Sequence, residues 1–394
     1  MDKKIKFPKD FLWGSAVSSY QVEGWNDNSD WYEWEKSGRT KEKNGIACDY
    51  WNRYKEDHSI ISQLGQNAFR LSLEWSKIEP EEGKFSEEAI NHYREILKDL
   101  KSRGIKTAVT LWHWTLPIWL SKDGGWHNCD TVDYFVRFCE RVVKDLGEDI
   151  DLFILMNEPR IPLNKGYLWG VFPPGKKNPF LYFKARKNMI RACIRSYDAT
   201  KKINPDVKIG ITQFTNAIYY LGSSKILKGI SKIISNLYNW RFQDGIGEKQ
   251  DFIGVNYYFA VETRVGYPFF KMINNNKFPT NMGWGVFPDG LREVLEDGWK
   301  RYKKPMYVFE NGIAIDQDEV RAEFIKEHIK AIAQAIKNGA DVRGYFYWSL
   351  MDNFEWNEGF KMKFGLVEID RKTLERKIRP SAWEYAKICK NGEF

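Results

Sequence analysis

Apolar and polar positions along this chain follow two periods. Eight short stretches, 12–20, 68–75, 106–112, 152–157, 207–214, 251–258, 305–310 and 342–349, are close to continuous apolar runs rich in β-branched and aromatic residues. Runs of that kind suit strands buried on both faces. Between them, in 51–65, 86–104, 131–147, 183–202, 289–302 and 318–339, apolar residues recur at helical spacing with charges on the opposite side. Gly65, Gly104, Gly147 and Gly339 follow four of these segments, and glycine suits the left-handed position just past a helix. Strand–helix alternation repeated eight times predicts a parallel sheet, and eight units close naturally into a barrel. The expected class is α/β, a (β/α)8 TIM barrel with residues 1–394 as a single domain. The competing open, doubly wound sheet loses support because neither G-x-G-x-x-G after the first strand nor G-x-x-x-x-G-K-[ST] occurs.

Two strand ends then stand out. "PMYVFENGIAI" (305–315) stops its apolar run at Glu310, with Asn311-Gly312 next. Taken alone, Asn-Gly between apolar residues is a hairpin signal. "LFILMNEPR" (152–160) ends in the same way, in Asn157, Glu158 and Pro159. In a barrel the C-terminal strand ends gather at one mouth, which would bring Glu158 and Glu310 together. Two opposed carboxyls are the minimum for glycoside hydrolysis, about 5–5.5 Å apart in retaining enzymes and about 6.5–9.5 Å apart in inverting ones.

Composition narrows the field. Aromatic residues make up 16% of the 394 positions, with 17 Trp and 20 Tyr, more than a core alone asks for and well matched to stacking on pyranose rings. The net charge of +8 is interleaved with acids and forms no basic block, so no nucleic-acid partner is indicated. Five cysteines, an odd number without a CxxC pair, argue against a disulfide framework and fit a reducing cytosol. His58, His92, His127 and His328 show no ligand spacing, and no metal or cofactor is expected. The N-terminus has no apolar run after its charges, and no stretch of about 18 apolar residues occurs. A cytoplasmic protein acting on small molecules, with no membrane partner, is the expectation.

Several longer motifs carry a resemblance. "FLWGSAVSSYQVEG" (11–24), "CDYWNRYKEDHSIISQLGQNAFRLSLEW" (48–75), "LWHWTLPIWL", "NEP", "GYLWGVFPPG", "DFIGVNYY", "MGWGVFPDGL", "FENG" and "GYFYWSLMDNFEWNEGFKMKFGLVEID" occur in one order. In that order they resemble glycoside hydrolase family 1, the β-glucosidase family, from about residue 11 to 383. The resemblance implies a retaining β-glycosidase with Glu158 as acid/base and Glu310 as nucleophile, supported by Arg70, Asn256 and Tyr258. It further implies a sugar pocket of Gln21, His113, Trp114, Asn157, Trp348, Glu355 and Trp356, with Asn157 taking the 2-OH and Trp348 as stacking floor. Taken singly, His113 reads better as a satisfied core histidine, each Trp more often as packing, and Glu355 could be a surface acid. Family members that take 6-phosphorylated sugars lack the Glu at 355, so an unphosphorylated glucosyl, galactosyl or fucosyl unit is expected. Two other readings compete: an endo-acting, cellulase-like barrel, and a catalytically silent sugar-binding barrel.

The chain also departs from the family pattern. It is short, and 259–281 reads as a trimmed part of the mouth. Glu74, Lys77 and Thr115 stand where a small residue, Arg and Asp are more usual, and Glu74 is left open between a solvated acid and one that perturbs Arg70. Phe309 replaces the usual Thr before the nucleophile position. By strand alternation it should point away from Glu310, into the layer between barrel and helices.

Overall fold

The computed structural model describes residues 6–264, 269–273 and 280–393. Eight parallel strands form its main sheet: β1 (Leu12–Ala16), β2 (Ala68–Ser72), β3 (Lys106–Trp112), β4 (Leu152–Asn157), β5 (Lys208–Tyr219), β6 (Phe252–Thr263), β7 (Met306–Asn311) and β8 (Val342–Trp348). Each pairs with its neighbours in chain order, and β8 returns to β1 with Leu12 opposite Gly344 and Ala16 opposite Trp348. The sheet is therefore a closed barrel. One long helix follows each strand: α1 (Tyr50–Gln63), α2 (Glu87–Ser102), α3 (Thr131–Leu146), α4 (Pro179–Ile203), α5 (Lys225–Ile246), α6 (Pro288–Tyr302), α7 (Asp318–Lys337) and α8 (Pro380–Asn391). This is the (β/α)8 barrel that the alternation predicts.

The strands are buried on both sides because they separate two cores. Residues such as Val109, Leu111, Phe153, Leu155 and Val308 pack outward against the helices. Inside the barrel, small Ala16, Ala68 and Ala108 on β1–β3 share one cluster with bulky Phe252, Tyr307, Phe309 and Phe346 on β6–β8. Pairing small with large side chains fills the interior without voids.

Strict alternation fails at the two strand ends that matter most. Val308 lies opposite Val255 of β6, but the next pair is Glu310 with Asn256, so one extra residue sits in β7. Such a bulge re-aims side chains. Phe309 follows Tyr307 into the barrel, and Glu310, re-aimed by the bulge, points inward as well. The expectation that Phe309 faces the helices because Glu310 faces the mouth therefore fails. The Phe309 ring meets Phe252 and Phe346 and lies 5.7 Å from the Arg70 guanidinium. In β4 the pairing jumps from Ile154 with Gly210 to Asn157 with Thr212, which brings Asn157 inward in the same way.

Other boundaries differ from the sequence reading for physical reasons. The first two strands end at Ala16 and Ser72, and helical turns (Ser19–Val22 and Trp75–Ile78) replace their predicted last residues. β5 and β6 run five residues beyond their predicted ends because they pair with each other above the barrel, Tyr219 opposite Glu262. Helices α5 and α8 went unread. In α5, apolar residues lie on more than one face and blur the stripe; α8 is short, though Pro380 opens it and Gly392 (φ 62°) closes it. Gly65, Gly104 and Gly339 take the left-handed backbone expected of helix ends, whereas Gly147 (φ −59°) leads into a 3-10 turn. Of the segment read as trimmed, 265–268 and 274–279 lie outside the described residues. The rest carries the end of β6 and a short antiparallel strand, Phe270–Met272.

Candidate active site

A cavity of about 420 Å³ opens at the C-terminal ends of the strands, within the usual range for small-molecule sites. Glu158, Trp114 and Trp356 border it, and all three hold positive φ (44°, 79° and 50°). A left-handed backbone costs a side-chain-bearing residue about 1–3 kcal/mol, and such strain clusters at functional sites. Glu158 is held in place by its own N–H, which donates to the Thr212 carbonyl at 2.9 Å.

The two carboxyls are both buried, at 4% exposure each, but their surroundings differ. Glu310 receives Arg70 Nη1 on one oxygen and the Tyr258 hydroxyl on the other at 2.7 Å. Burial pushes Glu310 up from the ordinary carboxylate value, while the Arg70 charge and these donors pull it back. Burial and proximity to Glu310 hold the Tyr258 hydroxyl in its protonated, donating form. Glu158 accepts one hydrogen bond, from Asn256 Nδ2 at 2.8 Å. Burial first, and the Glu310 charge second, push it up to about 8. With one negative charge to share, the pair places its proton on Glu158 and its charge on Glu310.

Asn157 is oriented by the same network. Its carbonyl oxygen accepts from Arg70 Nη2 (2.6 Å), Thr212 Oγ1 (2.6 Å) and Asn256 Nδ2 (3.1 Å). Only its amide N–H groups remain for other partners, and one lies 3.1 Å from His113 Nε2. Burial, reinforced by the Arg70 charge, keeps His113 neutral, so Nε2 accepts and Nδ1 carries the proton. That Nδ1 is buried without a partner. Trp114 Nε1 donates to the main-chain carbonyl of Asn157 at 3.0 Å. Trp348 stacks near-parallel to His113 with centroids 6.2 Å apart.

The far wall is built by Gln21, Glu355 and Trp356. Gln21 sits on the helical turn after β1, not on a strand end, and its amide donates to the Phe354 carbonyl (2.8 Å), Asn353 (3.0 Å) and Glu355 (3.4 Å). Burial raises Glu355 to about 7 against the opposing charge of Lys165. Every residue expected in the pocket or beside Glu310 is thus brought to one place.

Sequence reasoning missed Lys165. Arg160–Leu163 is followed by a π-helical turn, Asn164–Leu168, an irregularity common at functional sites. The Lys165 carbonyl then closes the following loop by accepting from Val171 N–H at 2.8 Å. This folds the Phe172 ring under the Lys165 ammonium at 4.3 Å, inside the same cavity as Glu355 and Glu358. A lysine seven residues beyond Glu158 reads as a surface charge until that turn is seen. The outer half of the cavity, lined by Ile161, Trp169, Phe214, Phe259, Met282 and Trp284, is apolar. Only Trp169, Met282 and Trp284 lie in motifs that the sequence singled out.

Glu74, left open by the sequence, is fully buried. It accepts from the Ser76 hydroxyl (2.8 Å) and the Thr115 hydroxyl (3.0 Å). The two departures from the family pattern at 74 and 115 are therefore in direct contact. Burial and nearby Glu23 raise Glu74 to about 7. Lys77 pairs with Glu23 at 3.0 Å.

A closed (β/α)8 barrel with two unequal buried carboxyls at its mouth, ringed by tryptophans and amide donors, defines a sugar-cleaving enzyme of the two-carboxylate kind. The sequence profile of Glycosyl hydrolase family 1 matches residues 3–246 and 236–394. The chain is 33% identical to β-glucosidase A of Thermotoga maritima, with 98% of each chain covered. It is 34% identical to a β-galactosidase of Sulfolobus acidocaldarius, covering 98% of this chain and 96% of that one. The structure of a β-glycosidase from Pyrococcus horikoshii matches with a TM-score of 0.93 at 39% identity, covering 99% and 96%. The chain belongs to glycosyl hydrolase family 1.

Proposed function

We propose that this chain is a retaining β-glycosidase that removes terminal β-D-glucosyl units from small glycosides and oligosaccharides, with galactosyl and fucosyl units as further candidates. The carrying observation is the unequal environment of the two carboxyls. Glu310, charged and aimed by Arg70 and Tyr258, attacks the anomeric carbon. Glu158, neutral because it is buried beside that charge, gives its proton to the departing glycosidic oxygen. The bond to the leaving group breaks as the Glu310 ester forms. Esterification removes the negative charge that raised Glu158, so Glu158 ionises and takes a proton from the attacking water. Water then displaces Glu310 with a second inversion, and the sugar leaves with its original anomeric configuration.

Substrate contacts follow from what each group has left to offer. Asn157 has only N–H to give, which suits a donor to the 2-OH. Trp348 supplies the ring platform. Glu355, a carboxylate on the far wall, favours hydroxyls over a phosphate. The apolar outer half suits an aryl or alkyl aglycone better than a hydroxylated polymer, and the wall of Gln21, Glu355 and Trp356 bounds the glycone end. Both features favour this reading over an endo-acting barrel. The presence of both carboxyls favours it over a silent one. The five cysteines are unpaired, in keeping with a cytoplasmic workplace, and among the described residues no helix is long and apolar enough to cross a membrane. The whole chain would act as one catalytic unit.

The test is proton NMR of an aryl β-glucoside during early turnover. The β-anomer of glucose should appear first and then mutarotate. First appearance of the α-anomer would refute retention, and no turnover of gluco or galacto substrates would refute the enzyme.

A further inference from the structure

Helix α5 presents an apolar face that the barrel does not use. Ile226, Ile230, Ile233 and Leu237 follow one another at steps of four, three and four residues, and all are between 44% and 76% exposed. That spacing puts them on one side of the helix, along about 16 Å. The stripe has a neighbour on α4. Arg186 donates to the Arg241 carbonyl at 3.0 Å, and Gly245 sits directly against Ile190, so the two helices run side by side in that register. Counting back, Phe183 and Phe180, 57% and 86% exposed, fall beside positions 238 and 235 of α5. The apolar surface therefore spans both helices, in the halves that begin at the mouth end of the barrel. Tyr238 on α5 lines the cavity itself, as does exposed Trp169.

The two segments that carry this surface hold charge of one sign. Residues 159–197 and 207–243 hold 14 of the chain's 61 Lys and Arg and none of its 53 Asp and Glu. The remainder of the chain accordingly carries six more acids than cations. The even spread of charge seen along the whole sequence conceals this segregation. Lys225, Lys228, Lys232 and Arg241 on α5, Lys184 and Lys187 in the first turns of α4, and Lys176 and Lys177 in the loop before it are all exposed.

We propose that this face docks the enzyme on an anionic lipid surface, the stripe and the two phenylalanines entering the interface while the lysines meet headgroups. An apolar helix face whose own segment supplies lysines and no acids is the pattern of an interfacial helix, strengthened by each cation near an anionic leaflet. The nearest acids, Glu293, Glu296 and Asp297, belong to α6, in the groove beside Lys228 and Lys232. A second copy of the chain is a poorer occupant. Face-to-face pairing would bring two sets of cations together, with no acid in either segment to neutralise them. The sequence reading weighed only spanning helices, which this face does not need. Docked this way, the cavity mouth lies at the lipid surface, within reach of glycosides whose aglycones partition there.

The experiment is co-sedimentation of the full chain with vesicles of phosphatidylcholine, with and without phosphatidylglycerol, at low and high salt. Binding should require phosphatidylglycerol, weaken with salt, and fall by about tenfold or more in an Ile230→Glu, Ile233→Glu double variant. Hydrolysis of a soluble aryl β-glucoside should be unchanged in that variant, which shows that it is folded. Absence of binding, or binding indifferent to headgroup charge, would overturn the proposal. So would light scattering that shows a dimer split to monomers by the same substitutions, since the occupant would then be a second copy.

Discussion

Keeping Glu158 neutral costs stability, and Glu158→Gln removes that cost. Burial, with the Glu310 charge behind it, raises Glu158 from 4.5 to about 8. Its folded value therefore lies above its unfolded one. Between the two, the native state keeps a proton that the unfolded chain has released, so stability falls as pH rises, by about 1.4 kcal/mol per pH unit. From about pH 5 to about pH 8 this amounts to about 4 kcal/mol if the whole effect sits on Glu158. The proton is shared with Glu310, so about 2–4 kcal/mol is the expected span. Glutamine has the same shape, keeps an oxygen for the Asn256 hydrogen bond, and does not titrate. Urea unfolding of both proteins at the two pH values measures the difference. The stability advantage of Glu158→Gln should widen by that span on going from pH 5 to pH 8. An equal difference at both would mean that Glu158 titrates normally, and the acid role would lose its physical basis.

Three further outcomes are expected. Glu158→Ala should cost kcat/KM about 10²–10⁴-fold on glycosides with poor leaving groups and much less on activated phenolic ones, which need no proton; equal losses on both would count against the assignment. Lys165→Met should raise Glu355 above about 7, because the lysine charge opposes the effect of burial there. KM should then increase several-fold near neutral pH and change little above about pH 9, where Glu355 is ionised in both forms; a pH-independent change would point to a direct substrate contact instead. Phe309→Thr should empty space inside the barrel and lower stability by about 3 kcal/mol, measured by urea unfolding, whereas a neutral effect would mean the ring is not packed between Phe252 and Phe346.

Much of this was legible in the sequence because barrels repeat. Eight apolar runs alternating with helical segments needed no structure to imply closure, and closure put Glu158 and Glu310 at one mouth. The failures have local causes. Phe309 was misdirected because alternation assumes an unbroken ladder, and the extra residue in β7 is visible only in the pairing of Val255 with Val308 and of Asn256 with Glu310. Lys165 was invisible because a π-helical turn, not a periodic one, carries it inward. Glu74 could not be placed until Thr115 was seen to donate to it, a contact between residues 41 apart. Helix α5 went unread for the reason that makes it interesting, since its isoleucines face away from the core.

Mass mapping after reaction with a 2-deoxy-2-fluoro-β-glucosyl substrate bearing a good leaving group tests the proposed chemistry most directly. The fluorine slows both displacement steps, and the good leaving group lets the first outrun the second, so the glycosyl-enzyme should accumulate. A stable adduct on the peptide containing Glu310, absent in Glu310→Ala, is the expected result. An adduct on any other residue, or none from either the gluco or the galacto reagent while the unfluorinated glycosides turn over, would contradict it.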